Sequence, residues 1–147
     1  MGPPADVGAV AGRAGCAAVR GGARVIRGLG VDIVEVDRIR RAMARWGEPF
    51  LHRVFTPAEL ARGGTSPAAA ERLAGRFAAK EAVMKALGQG RRGVGWREIE
   101  ITTDPSGKPG VHLSGRAAEI SDRLGVRAWS LAISHTRLMA IAQALAE

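Results

Sequence analysis

Asp32, Lys80, Glu81 and Lys85 are the residues whose types and spacing best suit chemistry. Turned at about 100° per residue, the stretch from 67 to 87 puts Leu73, Phe77, Met84 and Leu87 on one narrow stripe. Lys80 falls inside that stripe and Glu81 at its edge, and Lys85 follows Glu81 by one turn on the same side. Burying an unpaired ion costs several kcal/mol, so charges on an apolar stripe need partners. The plain reading is a snorkelling Lys80 and an ordinary Glu81–Lys85 pair worth ~0.2–0.5 kcal/mol. Asp32 adds a second carboxylate, in an apolar strand whose Gly28 and Gly30 share its face and leave room for something to approach. Two carboxylates brought together repel unless a proton or a cation lies between them. Oxygen ligands with no paired Cys or His favour Mg²⁺, which takes one or two protein carboxylates and fills its shell with water and substrate phosphates. Lys80, Lys85, Arg91 and Arg92 would add positive charge there, a surround that a glycosidase-type carboxylate pair does not need.

Other motifs are weaker. Gly88-Gln89-Gly90-Arg91-Arg92-Gly93 follows the long helix instead of preceding it. A phosphate-binding P-loop sits at a helix N-terminus, where the dipole helps, so this is no Walker motif. It reads either as a plain connection or as a loop that binds phosphate through side-chain cations and open amides. Ser134-His135-Thr136 is common turn chemistry, with no nucleophile elbow to support a hydrolase. His52 and His112 read as surface residues. Arg38, Arg41 and Arg45 share one helix face, either a solvated surface or a docking strip for an acidic partner.

The elements that must position these groups read as α+β. Val25 to Val34 is a strand. Asp37 could cap a helix with the stripe Ile39, Ala42, Met43 and Trp46. Thr56-Pro57-Ala58-Glu59 has the form of a capping box with proline at N1, and Gly63-Gly64 ends that short helix. Ser66-Pro67 opens the long helix, which Gly88 closes. Arg97 to Thr103 and Val111 to Leu113 form a hairpin around Asp104–Pro109. Ser114 starts a short helix closed by Gly125, and Val126–Ser134 and Leu138–Leu145 are final strands, the Ala-rich last one alternatively a helix.

The 147 residues suit one domain with a real core. No run approaches the ~20 apolar residues of a membrane span. The single cysteine, Cys16, excludes an intrachain disulfide framework and a thiolate zinc site, and it fits a reducing compartment, the cytoplasm. Residues 1–24, of which 13 are Ala or Gly, read as a poorly ordered extension ahead of a domain spanning 25–147. The net charge of +8 points to an acidic partner, and 4% aromatics with no tyrosine weaken single-strand nucleic-acid binding.

Four blocks, in order, resemble the holo-[acyl-carrier-protein] synthase family. They are Gly28-Leu29-Gly30-Val31-Asp32-Ile33-Val34-Glu35-Val36-Asp37-Arg38-Ile39, Phe55-Thr56-Pro57-Ala58-Glu59-Leu60, Arg76-Phe77-Ala78-Ala79-Lys80-Glu81-Ala82 with Lys85, and Ile133-Ser134-His135-Thr136. The resemblance implies a 4′-phosphopantetheinyl transferase-like fold, an antiparallel sheet packed with helices. It implies transfer of 4′-phosphopantetheine from coenzyme A to a serine of an acyl carrier protein. It further implies Mg²⁺ on Asp32 and Glu81, with Lys85 at the coenzyme A pyrophosphate. Lys80, His135, Gly88 and Gly90 would line the same coenzyme A site, and Arg38 and Arg45 would dock the carrier protein. The general base is left between Glu81 and Lys85. The resemblance also implies a homotrimer with active sites between subunits, and neither nucleic acid nor membrane as partner. Two other readings compete: a basic nucleic-acid-binding domain without catalysis, and a coenzyme A-binding protein that has lost catalysis.

Overall fold

The computed structural model describes residues 25–63 and 68–147. The proposed extension at 1–24 and the Ser66-Pro67 helix start lie outside the described residues. Chain order is β1 (Gly28–Glu35), α1 (Val36–Val54), α2 (Pro57–Gly63), α3 (Ala69–Ala86), α4 (Gly90–Gly93), a 3₁₀ turn (Trp96–Glu98), β2 (Ile99–Thr103), β3 (Pro109–Leu113), α5 (Gly115–Arg123), β4 (Trp129–His135) and β5 (Met139–Ala146). β1, β5 and β4 form an antiparallel sheet with β5 in the centre, and β2 and β3 form a separate hairpin. This is the α+β class expected. The Ala-rich last segment is a strand, whose buried alanines at 140, 142, 144 and 146 alternate with more exposed residues. No helix among the described residues is long and apolar enough to cross a membrane.

The core is built around α3. Alanines dominate its buried surface (Ala70, Ala74, Ala78, Ala79 and Ala82 among them), so the sheet can lie close against it. β1 uses that closeness. A Cβ at Gly28 would collide with the Ala86 carbonyl, and one at Gly30 with the Ala82 carbonyl. Two residues of β1 therefore match one turn of α3, and the face bearing Gly28, Gly30, Asp32 and Val34 turns toward the helix. The opposite face carries exposed Leu29, Val31 and Ile33, with exposed Ile141 paired beside Ile33 on β5.

Local expectations mostly hold, with instructive shifts. The first strand begins at Gly28, three residues late, and Val25 and Ile26 are exposed. Asp37 is not the cap of α1; Glu35 holds that position, and Asp37 pairs with Arg40 and Arg41 one turn on. α1 buries Ile39 and Ala42 as its stripe requires, but Trp46 is 54% exposed. The helix breaks there at Gly47, with φ of 54°, and Pro49 falls in the first turn of its second half, where proline is tolerated. α3 ends as expected: Gly88, at φ 69°, donates to the Lys85 carbonyl and Gln89 to that of Met84. Those two bonds are a Schellman closure. The glycine loop after it holds one helical turn, α4. Arg97 belongs to the 3₁₀ turn, so β2 starts two residues later than the alternation suggested. Ser114 is the N-cap of α5, but its side chain makes no capping bond.

Candidate active site

Asp32 lies on the β1 face that meets α3, and its carboxylate reaches the second half of that helix. The Lys85 ammonium donates to Asp32 Oδ1 at 2.9 Å and to the Val31 carbonyl at 2.8 Å. Asp32 is largely shielded and Lys85 half exposed, so the pair sits at the solvent edge of the β1–α3 contact. Glu81, one turn before Lys85 on the same side of α3, is partly buried. Gly88 and Gly90 follow directly after the helix end. A strand carboxylate and a lysine are thus brought together by one close strand–helix contact, and Glu81 stands one helical turn before that lysine. Among the described residues no three Asp, Glu, His or Cys side chains cluster as a metal cage. Two hard oxygen donors suit an ion such as Mg²⁺, which demands few protein ligands when phosphates complete its shell.

Lys80 turns the other way. Its side chain is fully buried, and its ammonium donates to Glu59 Oε2 at 2.7 Å, to the Trp96 carbonyl at 2.9 Å and to the Ile99 carbonyl at 2.6 Å. An ammonium has three donors, so all are used. The equally buried Glu59 completes the expected capping box with Thr56, accepting the Thr56 N–H at 2.8 Å and giving its own N–H to Thr56 Oγ1 at 3.3 Å. It also accepts the Ile101 N–H at 2.9 Å. Burial pushes the Lys80 pKa down, and the attraction of Glu59 offsets this only in part.

Two recesses flank this helix. One, of about 210 Å³, is lined by Arg72, Gly75 and Arg76 of α3, by Ile101, Thr103, Gly107 and Pro109 of the hairpin, and by Ile133 and His135 of β4. Arg76 Nε is buried there without a hydrogen-bond partner among the described residues, and burial lowers the guanidinium pKa. An unpartnered buried donor is costly, and an anion in the recess would satisfy it. His135 is exposed at its mouth, with Nδ1 3.8 Å from Glu71 Oε2. The other, a groove of about 480 Å³, has an apolar floor of Ile39, Ala42, Phe50, Val54, Phe77 and Trp96 and a rim of Arg38, Arg41, Arg45 and Arg53, with Trp46 beside Arg45.

Comparison with known proteins decides the family. The family model described as the 4′-phosphopantetheinyl transferase superfamily matches residues 28–140. The chain belongs to the 4′-phosphopantetheinyl transferase superfamily. A holo-[acyl-carrier-protein] synthase of Koribacter versatilis (strain Ellin345) is 45% identical over 124 residues, which cover 84% of this chain and 99% of the relative. The crystal structure of holo-[acyl-carrier-protein] synthase from Neisseria meningitidis superposes with a TM-score of 0.76 at 37% identity, covering 84% of this chain and 99% of that one. The Helicobacter pylori synthase in complex with coenzyme A gives a TM-score of 0.72 at 32% identity, over 81% and 99% of the two chains.

Within this transferase fold the sequence-derived residues separate into four places. Asp32 and Lys85 meet where β1 packs on α3, with Glu81 one turn before Lys85 and Gly88 and Gly90 just after the helix end. His135 stands apart in the arginine recess beside the first half of α3. Lys80, expected at the coenzyme A site, lies in the interior between α2, α3 and β2, and its three donors are taken by protein oxygens. Its place on the apolar stripe was the right signal, and the missing information was its partner 21 residues upstream. Arg38 and Arg45 lie together on the rim of the apolar groove. The Arg91 and Arg92 side chains lie outside the described residues. Sequence reasoning passed over Arg72 and Arg76, although one turn of helix separates them and Arg76 opens the block that resembles the family.

Proposed function

We propose that this chain transfers 4′-phosphopantetheine from coenzyme A to a serine of an apo-acyl carrier protein, the activity named for the synthases it resembles over nearly their whole length. The observation that carries the reading is the Asp32–Lys85 contact, because it sets a carboxylate from β1 beside the Glu81–Lys85 turn of α3, where a diphosphate needs both an ion and an ammonium. The serine oxygen attacks the β-phosphorus of the pyrophosphate, a new O–P bond forms, and adenosine 3′,5′-bisphosphate leaves with the electrons of the broken bond. Transfer of this kind is mostly positioning and charge stabilisation. Asp32 and Glu81 would hold Mg²⁺, which when bound supplies charge neutralisation at the pyrophosphate. Lys85 donates to the phosphate oxygens. The serine proton passes to Glu81, directly or through water, or to Lys85.

Coenzyme A carries a further phosphate on its ribose. The Arg72–Arg76–His135 recess, whose buried Arg76 Nε has no partner among the described residues, suits an anion of that kind. Its place apart from the Asp32–Lys85 pair fits a homotrimer in which one subunit supplies that pair and its neighbour the recess. The exposed apolar face of Leu29, Val31, Ile33 and Ile141 lies on the reverse of the strand that bears Asp32 and fits such contact between subunits. Arg38 and Arg45, above an apolar floor, suit the acidic amphipathic surface of a carrier protein better than a nucleic-acid backbone.

Mass spectrometry of an apo-carrier protein incubated with this chain, coenzyme A and Mg²⁺ tests the reaction. The expected result is a gain of one phosphopantetheine on serine; an unchanged carrier mass overturns it. Arg38→Glu is expected to raise KM for the carrier about tenfold and leave KM for coenzyme A within about twofold, a split that checks the docking strip.

A further inference from the structure

The buried ammonium of Lys80 makes a contact that bears on recognition. One of its three bonds goes to the carbonyl of Trp96. The ring of that same residue stacks on Phe77 at a centroid distance of 4.7 Å and an interplanar angle of 30°, and it forms part of the apolar floor of the arginine-rimmed groove. Phe77 and Lys80 are neighbours three residues apart on α3. Trp96 is therefore clamped to one helix at two points, its ring by Phe77 and its carbonyl by Lys80. Its segment is only a three-residue 3₁₀ turn. Glu59 anchors the ammonium from the other side and ties it to α2 and, through the Ile101 N–H, to β2.

We propose that Glu59 and Lys80 are positioning residues for carrier-protein recognition: the buried pair fixes Trp96, and Trp96 sets the shape of the groove floor. The proposal rests on the groove being the carrier docking site. It separates Lys80 from its neighbour Glu81, since one helical step of about 100° carries Lys80 into the interior and leaves Glu81 on the side of Lys85. A volume-conserving exchange of both partners, Glu59→Gln with Lys80→Met, removes the charges together and leaves no unpaired buried ion. It also removes the donor to the Trp96 carbonyl.

The experiment is a mutant cycle between this double variant and Trp96→Ala, read by KM for carrier, KM for coenzyme A, and binding of a fluorescently labelled acidic carrier protein by anisotropy. The double variant, folded by its thermal melt, is expected to raise carrier KM and Kd about tenfold with coenzyme A KM within about twofold, a selectivity that general loosening would not produce. In the Trp96→Ala background the same exchange is expected to have no further effect. Glu59→Gln with Lys80→Gln, which keeps an amide donor for the Trp96 carbonyl, is expected to bind carrier within about twofold of the parent, and it carries the test if the methionine variant does not fold. Equal rises in both KM values, additive effects in the cycle, or a carrier defect in the glutamine variant as large as in the methionine one overturns the proposal. Failure of the parent chain to modify carrier protein would sink the functional reading instead, and the anisotropy cycle would still score the clamp.

Discussion

Two lysine–carboxylate pairs sit five residues apart on α3 with nearly the same separation, 2.7 Å for Lys80–Glu59 and 2.9 Å for Lys85–Asp32. Their surroundings are opposite. In the first, both side chains are 0% exposed; in the second, Lys85 is 50% and Asp32 16% exposed. The inner ammonium has fixed carbonyls for its remaining donors, so moving it strands two backbone oxygens. The outer one can swing away and leave Asp32 to water or to another cation. Equal distance thus conceals different work: the inner pair holds elements in place, and the outer pair is built to exchange partners. An enzyme acting on a diphosphate needs the second kind where the substrate arrives and the first kind behind it.

The largest expected effect is on the inner pair. Lys80→Met alone leaves Glu59 charged and unpaired in the interior and should cost about 3–5 kcal/mol, against a total stability for a domain of this size of about 5–15 kcal/mol. Adding Glu59→Gln should recover most of that loss. Urea denaturation of the two variants checks it, and equal midpoints would mean that Lys80 is not holding a buried charge.

Asp32→Ala reverses the pattern. Removing the outer partner should cost less than about 1 kcal/mol of stability, since a pair whose lysine is half in water is worth little. Transfer, in contrast, should fall about 100-fold, in the range seen when one preorganised charge-stabilising group is removed. Steady-state kinetics at fixed Mg²⁺ alongside the same denaturation series checks both halves. A variant that loses stability but keeps turnover would erase the distinction between the pairs.

The outer pair was far more legible in the sequence than the inner one, for a physical reason. Asp32 announces itself by period-2 alternation with Gly28 and Gly30, and Glu81 and Lys85 by helical spacing, so two local patterns sufficed to name the group. The glycines at 28 and 30 signal that something approaches Asp32, but not that the approaching body is α3 itself. Glu59 was legible too, but only as a capping box. A carboxylate that bonds the Thr56 amide looks satisfied in sequence, and nothing local shows that its second oxygen meets Ile101 and that Lys80 closes on it from another helix. The groove and the arginine recess share that opacity. Ile39, Phe50, Phe77 and Trp96 come from three separate segments, as do Arg76, Pro109 and His135. Helix boundaries set by glycine, such as Gly88, were readable; the break of α1 at Gly47 ahead of Pro49 was not, because the apolar stripe ran up to Trp46 without a pause.

The smallest expected effect gives the sharpest view of the inner pair, because it weighs burial against attraction within a single group. Desolvation lowers the Lys80 pKa from 10.5, Glu59 and more weakly Glu100 raise it, Arg97 lowers it further, and the balance is downward. In the window between the folded value and 10.5 the unfolded chain holds a proton that the folded chain has lost, so the stability contribution of this group rises with pH there. Below the window both states are protonated and the contribution is flat. The melting temperature of the parent, measured against that of the Glu59→Gln, Lys80→Met variant in steps from pH 7 to 10.5, should therefore climb toward the alkaline end, with all other titrating groups cancelling between the two proteins. A relative fall over the same range would mean that the attraction of Glu59 outweighs the cost of taking the ammonium out of water. The pair would then stabilise the fold outright, and the contrast with Asp32–Lys85 would be one of strength and not of kind.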